Sequence, residues 1–464
     1  MKIKILLKKL KEFIDKRTPA QLIVISYAIL ILIGTVILKL PFSHIKAHIS
    51  FIDALFTSTS AICVTGLTVL DTAKDLSKVG QIVILCLIQI GGIGIMTISS
   101  FLLLAVGKKI SIKSRRALRE SFDQISSLKL RSLIASIILF TFLMETIGSL
   151  FLYMSWKNQL NSNNAWFVSI FHSISAFCNA GFSLFSDSLM KYYNNGYINL
   201  IICILIITGG LGFFVVNELF IKLFRKKFTF KLLTLHTKIV ITTTFILIIS
   251  GAIALLFFEY NNTSTIEHFS LKGKIYSVIF QSITSRTAGF NTIAIDKLSG
   301  CSLVILILLM FIGGSPGSTA GGIKTTTAAI LYSIARAKIS GIAKLFAFSR
   351  TFPMELIEKA VTITVVAVIL ISTGAILIFY SEYPYVPVND TESFFIKSLF
   401  EATSAFGTVG LSTGITSSLN NFSKIILIIL MYIGRLGPLT LALALTEREL
   451  KSRIEYAEES VMIG

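Results

Sequence analysis

Long apolar segments alternate with short ones along this chain, and each short one runs into a glycine turn. The long spans cover residues 22–38, 79–106, 133–153, 198–223, 239–258, 301–312 with its continuation, 360–380 and 425–445. Most are near or above the roughly 20 residues needed to cross the hydrocarbon of a bilayer. The short segments, 51–63, 165–178, 275–285 and 394–406, hold about 10 to 14 residues and cannot span, so they are expected to be re-entrant half-helices.

The half-helices end in four figures of one kind: STSAICVTGL (58–67), SISAFCNAGF (173–182), SITSRTAGF (282–290) and ATSAFGTVGL (402–411). Each carries one glycine, Gly66, Gly181, Gly289 or Gly410, behind a short apolar stretch. About 25 residues later a second glycine figure falls inside a long span. These second figures are Gly91-Gly92-Ile93-Gly94, Gly209-Gly210-Leu211-Gly212, Gly313-Gly314-Ser315 and Gly434-Arg435-Leu436-Gly437. The expected fold class is therefore all-α and integral to the membrane, with four membrane-pore-membrane repeats set pseudo-fourfold around a central ion pore.

Composition agrees with that setting. A chain of 464 residues with 54% hydrophobic and 14% charged residues does not suit a soluble domain. The basic residues sort by side: KIKILLKKLKEFIDKR at the start, GKKISIKSRRALRESFDQISSLKLR after the second span, KLFRKKFTFKLLTLHTK after the fourth and RAKISGIAKLFAFSR after the sixth. By the positive-inside rule these are cytoplasmic. Both termini are then expected inside, with the half-helices entering from outside. The net charge of +19 is mostly topogenic, with attraction to anionic lipid as a side effect. Nucleic-acid binding is not expected, because the basic runs alternate with spans instead of forming one module. The expected organisation is a basic arm (1–18), a first repeat (19–108), a basic linker and second repeat (109–225), a third repeat (226–340), a fourth (341–447) and a cytoplasmic tail (448–464). Five cysteines, Cys63, Cys86, Cys178, Cys203 and Cys301, form no CxxC pair and are read as buried small apolar residues. The first span lacks a small-residue cleavage site and is expected to stay.

Small residues in membrane helices usually serve close packing. Here each turn glycine stands where a half-helix ends within the membrane, and irregular backbone is tolerated there only beside a water-filled path or inside protein. Glycine can take φ > 0 and turn neighbouring carbonyls toward one axis, replacing a cation's hydration shell. Half-helices entering from outside also aim their partially negative C-terminal ends inward. The path is for cations.

These segments, above all TVGL (408–411) and RTAGF (286–290), resemble the single-glycine filters of the Trk/Ktr/HKT potassium transporter superfamily, and the likeness covers nearly the whole chain. It implies potassium held by carbonyls near Val64, Thr65 and Gly66, near Asn179, Ala180 and Gly181, near Thr287, Ala288 and Gly289, and near Thr408, Val409 and Gly410. Every segment lacks the second glycine of the channel pattern TVGYG, which implies weaker discrimination against sodium. In the plant branch a serine at the first filter glycine goes with sodium preference; Gly66 favours potassium. The superfamily also places an intramembrane gating loop at FIGGSPGSTAGGIKTTT (311–327), where Pro316 and nearby glycines forbid a continuous helix. The gate residues implied are Gly313, Gly314, Ser315, Pro316, Gly317, Ser318, Thr319, Ala320, Gly321, Gly322 and Lys324, with Arg435 as an electrostatic barrier beneath the filter. A charge deep in an apolar span costs roughly 2.5 to 3.5 kcal/mol on insertion scales and usually faces a cavity or partner. The loop is not a phosphate loop, because Ile323 separates Gly322 from Lys324.

The resemblance further implies a bacterial plasma-membrane subunit of Ktr type, a homodimer, and a cytoplasmic ring of nucleotide-binding regulatory partners (KtrA/TrkA type). No cofactor is implied in this chain beyond potassium in the filter, and sodium-dependent and sodium-independent flux are both compatible with it. Among other polar residues, Arg286 and Glu401 are expected either to pair behind the filter or to bond only backbone. Asn291 reads as a turn stabiliser, Glu145 as an intramembrane pairing site, and Asn217 and Glu218 as helix caps. His172 occupies the half-helix position of Thr57, Gln281 and Glu401, and no metal role is expected. Two other classes are weaker. A secondary transporter of another small solute would show inverted repeats, whereas these run in one direction. An intramembrane hydrolase would need a His or Asp near Ser315 and Ser318.

Overall fold

The computed structural model describes residues 17–45, 49–94, 130–224, 229–341, 345–438 and 441–442. Most of the basic arm, residues 95–106 of the second span, most of the basic linker and the C-terminal tail lie outside them.

The described chain is helical and falls into four similar stretches. The first holds α1 (Pro19–Lys39), α2 (Phe51–Ile62) and α3 (Lys78–Ile93). The second holds α4 (Leu130–Trp156), α5 (Ser162–Phe177) and α6 (Gly196–Leu211), followed by α7 (Phe213–Phe224). The third holds α8 (Leu235–Glu259), α9 (Leu271–Thr284) and α10 (Gly300–Phe311), then α11 (Thr325–Ile339). A hairpin of β1 (Phe346–Ala347) and β2 (Arg350–Thr351), antiparallel, leads to α12 (Met354–Glu382), α13 (Thr391–Gly407) and α14 (Asn421–Leu436). Among the described residues α1, α4, α8 and α12 are each long and apolar enough to cross a membrane.

Local chemistry sets where these helices begin. Ser50, Ser77, Ser270 and Ser299 stand before α2, α3, α9 and α10, and each hydroxyl accepts an amide of the first turn. Thr18 and Gln21 form a reciprocal capping box on α1.

The ends of the third helices differ from expectation. The sequence predicts continuous spans at 79–106, 198–223 and 425–445, with a break only in the third repeat. Instead α3, α6 and α14 stop at Gly94, Gly212 and Gly437, with φ of 84°, 91° and 84°. A residue at positive φ cannot continue a right-handed helix, and glycine adopts that conformation at little cost. Beyond Gly212 the axis turns by 107° from α6 into α7.

Packing within each stretch repeats a contact that periodicity does not predict. Gly34, Gly148, Gly251 and Gly374 on the long helices face Leu87, Leu205, Leu309 and Leu430 on the third helices. A Cβ at any of the four would lie within 3 Å of that leucine. At three of them a serine of the short helix crosses the same gap. Ser58, Ser173 and Ser282 donate to the carbonyls of Ile31, Glu145 and Ile248 at 2.7 to 2.8 Å, while the fourth stretch has Ala402 instead.

Between stretches, each short helix packs on the third helix of the stretch before it: α5 on α3, α9 on α6 and α13 on α10. The cycle closes with α2 on α14, where Lys424 and Asp53 form an ion pair at 2.8 Å. The short helices therefore occupy the centre, and their C-terminal ends meet.

Candidate functional site

The four turn glycines touch one another in order. A Cβ on Gly66 would lie 2.4 Å from the Ala180 carbonyl, one on Gly181 2.8 Å from that of Ala288, one on Gly289 2.6 Å from that of Val409, and one on Gly410 2.2 Å from that of Thr65. No side chain fits at any of these positions. The residues singled out as filter, Val64, Thr65, Gly66, Asn179, Ala180, Gly181, Thr287, Ala288, Gly289, Thr408, Val409 and Gly410, are brought together in one closed ring, and the non-glycine members are buried.

Each segment has positive φ at two places. The glycines have φ of 91°, 70°, 78° and 91°, and two residues earlier Val64, Asn179, Thr287 and Thr408 have 55°, 59°, 80° and 50°. Left-handed backbone at non-glycine positions costs on the order of 1 to 3 kcal/mol each and persists where the surroundings enforce it. The turns are enforced by hydrogen bonds from the short helices. The amides of Gly66 and Gly410 donate to the hydroxyls of Ser60 and Ser404 at 3.0 and 3.1 Å, and Ser175 donates to the Phe182 carbonyl at 2.8 Å.

On one side of the ring lies a cavity of about 370 Å³, lined by the four glycines with Asp71, Asp187, Ser183 and Ser412. On the other side lies the irregular stretch between α10 and α11. Pro316 and glycines at positive φ, Gly317 and Gly322, keep it out of helical geometry. It is tied on several sides. The amides of Ser315 and Thr319 donate to the carbonyls of Gly210 and Gly209, and Phe213 donates to that of Gly317. Gly313 abuts Thr287, and Gly321 abuts Thr408 so closely that a Cβ would lie 2.2 Å from its hydroxyl. Within the stretch, Ser318 accepts the Ala320 amide, and Lys324 donates to the carbonyls of Ala320 and Gly321 at 2.7 and 3.5 Å. Gly314 lies against Ala320. From α14, Arg435 donates through one nitrogen to the Thr319 carbonyl and through the other to that of Gly91.

The remaining polar residues behave variously. Arg286 and Glu401 do not pair. Arg286 donates to the Gly313 carbonyl at 3.3 Å and the Thr244 hydroxyl at 3.4 Å, whereas Glu401 is engaged by Ser412, Thr413 and Thr416. Asn291 bonds the Ile293 carbonyl, as a turn residue does. Glu145 accepts from Gln89 of α3 at 3.0 Å and so joins two stretches. Glu218 accepts from the Thr234 amide and from the hydroxyls of Thr234 and Thr237, tying α7 to the start of α8. His172 contacts the Val168 carbonyl and the Ser183 hydroxyl. Cys63, Cys178 and Cys203 are buried, but Cys86 and Cys301 lie on the exterior. In a bilayer that exterior is itself apolar, so an apolar neighbourhood in sequence does not mark the inside.

A family model described as TrkH, cation transport protein, matches residues 2–452. The chain belongs to that family. TrkH-family proteins are transporters, not enzymes, and with its apolar helices this member is a multi-pass membrane protein. It is 38% identical to the Ktr system potassium uptake protein B of Bacillus subtilis over 96% of this chain and 97% of that protein. Identity to the Ktr system potassium uptake protein B of Vibrio alginolyticus is 37%, covering 96% of this chain and 94% of the relative. The potassium/sodium uptake protein NtpJ of Enterococcus hirae is also 37% identical, over 98% of this chain and 99% of the relative. The crystal structure of the potassium transporter TrkH from Vibrio parahaemolyticus has the same fold, with a TM-score of 0.69 over 91% of this chain and 84% of that one at 20% identity.

Proposed function

We propose that this TrkH-family chain takes up potassium across the bacterial plasma membrane as the channel-like, ion-translocating subunit of a Ktr/Trk system. The observation that carries the reading is the closed ring of Gly66, Gly181, Gly289 and Gly410, each against a carbonyl of the next segment. In this reading four repeats stand pseudo-fourfold about the ring. Carbonyls of the twelve ring residues replace the hydration shell of a dehydrated potassium ion. The four half-helices add the negative ends of their dipoles, each worth roughly 0.3 to 1 kcal/mol toward a cation.

The stretch from Gly313 to Lys324 is the gate. It lies against filter residues Thr287 and Thr408 and is tied to the third helices of the second and fourth repeats. Arg435 acts twice, as a hydrogen-bond donor holding the loop and as a charge opposing cations. At an effective dielectric of about 20, a unit charge about 8 Å away raises a cation's energy by on the order of 2 kcal/mol. That corresponds to roughly 30-fold in rate. Opening must relieve both effects, and its energy is supplied by a cytoplasmic nucleotide-binding ring acting on a homodimer of this chain. Both termini are cytoplasmic in this reading, by the positive-inside rule. The acidic cavity above the filter then faces outward and concentrates cations.

Expression in a bacterial strain stripped of its potassium uptake systems tests the reading. Growth at low potassium is expected to return when the chain is supplied with its regulatory ring. No growth, with the chain present in the membrane, contradicts it.

A further inference from the structure

Glu401 sits within α13, fully buried, where the proposed pathway itself has no need of a charge. Its carboxylate receives four hydrogen bonds from the segment that follows Gly410. They come from the Ser412 hydroxyl at 2.8 Å, the Thr413 amide at 2.8 Å, the Thr413 hydroxyl at 3.0 Å and the Thr416 hydroxyl at 2.7 Å. Ser412 and Thr416 also line the cavity above the ring. The second repeat holds the same point of the chain with different chemistry: His172 Nε2 lies 2.9 Å from the hydroxyl of Ser183, which lies two residues beyond Gly181 as Ser412 does beyond Gly410.

A carboxylate has a property that other braces lack. It accepts and never donates, so a hydroxyl that bonds it does so through its one hydrogen. The hydroxyl oxygens of Ser412 and Thr416 also lie 2.8 Å from each other, so their two hydrogens are held among Glu401, Ser412 and Thr416, and the lone pairs are what remain for the cavity. The Ser412 oxygen is further fixed by the Gly414 amide at 2.9 Å. A buried carboxylate carries a large desolvation penalty, and neutral side chains would hold a turn without it.

We infer that Glu401 is a positioning residue for ion selection, locking the turn behind Gly410 and setting the hydroxyls of Ser412 and Thr416 as acceptors at the outer mouth. The inference rests on the potassium reading above. Its test uses the full chain in liposomes as wild type, Glu401→Gln, Ser412→Ala, Thr416→Val and the double variant Glu401→Gln/Ser412→Ala. Initial uptake is measured against potassium and against sodium, and rates are normalised to folded protein. Glutamine keeps the shape but presents an NH₂ donor to the hydroxyls. Glu401→Gln is expected to raise the KM for potassium about tenfold and to narrow the preference over sodium, with a smaller fall in maximal rate. Adding Ser412→Ala to it should cost little more. A fall in maximal rate that follows only the amount of folded protein, with KM and preference unmoved, reduces Glu401 to a structural brace and overturns the inference. If Glu401→Gln does not fold, Ser412→Ala and Thr416→Val decide: wild-type KM and preference in both overturn it. A wild-type chain that moves no potassium overturns the functional reading and this inference with it.

Discussion

The Arg435 guanidinium donates to the Thr319 carbonyl, so a residue of α14 holds the middle of the loop between α10 and α11. Its second nitrogen donates to the Gly91 carbonyl of α3, which fixes the fork between two partners. Lysine at this position keeps the charge but cannot serve both carbonyls in one plane. Maximal potassium flux is expected to rise in the order wild type, Arg435→Lys, Arg435→Ala, with the alanine variant gaining roughly 10-fold or more. Flux assays on equal amounts of inserted protein check the order. An alanine variant no faster than wild type would leave Arg435 as a structural brace only.

Deleting residues 314–321 removes the part of the loop that abuts Thr408 and carries the Thr319 contacts. Transport is expected to rise and to depend less on the proposed regulatory ring. Uptake with and without the ring measures both, and a folded deletion variant with wild-type flux and wild-type regulation would show that the segment only kinks the helix.

The glycines of the long helices carry a prediction about stability. A Cβ on Gly148 would lie 2.5 Å from the Ser173 hydroxyl and 2.8 Å from Leu205. Gly148→Val is expected to destabilise by about 1 to 3 kcal/mol through overpacking. Ser173→Ala loses one interhelical hydrogen bond, worth roughly 0.6 to 1.7 kcal/mol in membrane proteins. Thermal unfolding in detergent should therefore show a larger fall in Tm for the valine variant than for the alanine one.

Much of the site was legible because certain residue types leave few alternatives. A glycine closing a segment too short to span signals a turn inside the membrane, as at Gly66, and Pro316 among glycines signals a broken helix. The other helix breaks were hidden. Around Gly94, Gly212 and Gly437 the apolar run continues, and hydropathy does not register the φ of one residue. The left-handed residues Val64, Thr287 and Thr408 run against the preference of β-branched side chains, and only the surrounding packing makes them so. The partners of Glu401 lie 11 to 15 residues away and those of Arg435 116 and 344 away, separations at which sequence periodicity carries no information.

The ring glycines decide the matter. Gly410 has φ of 91° and a Cβ there would lie 2.2 Å from the Thr65 carbonyl, so Gly410→Ser must displace a carbonyl assigned to the ion, and Gly289→Ser must displace that of Val409. Uptake of potassium, rubidium and sodium into liposomes holding the purified chain should favour potassium in the wild type. Both serine variants should insert normally yet lose potassium affinity or preference over sodium. Unchanged affinity and unchanged preference in both would remove these glycines from the ion path.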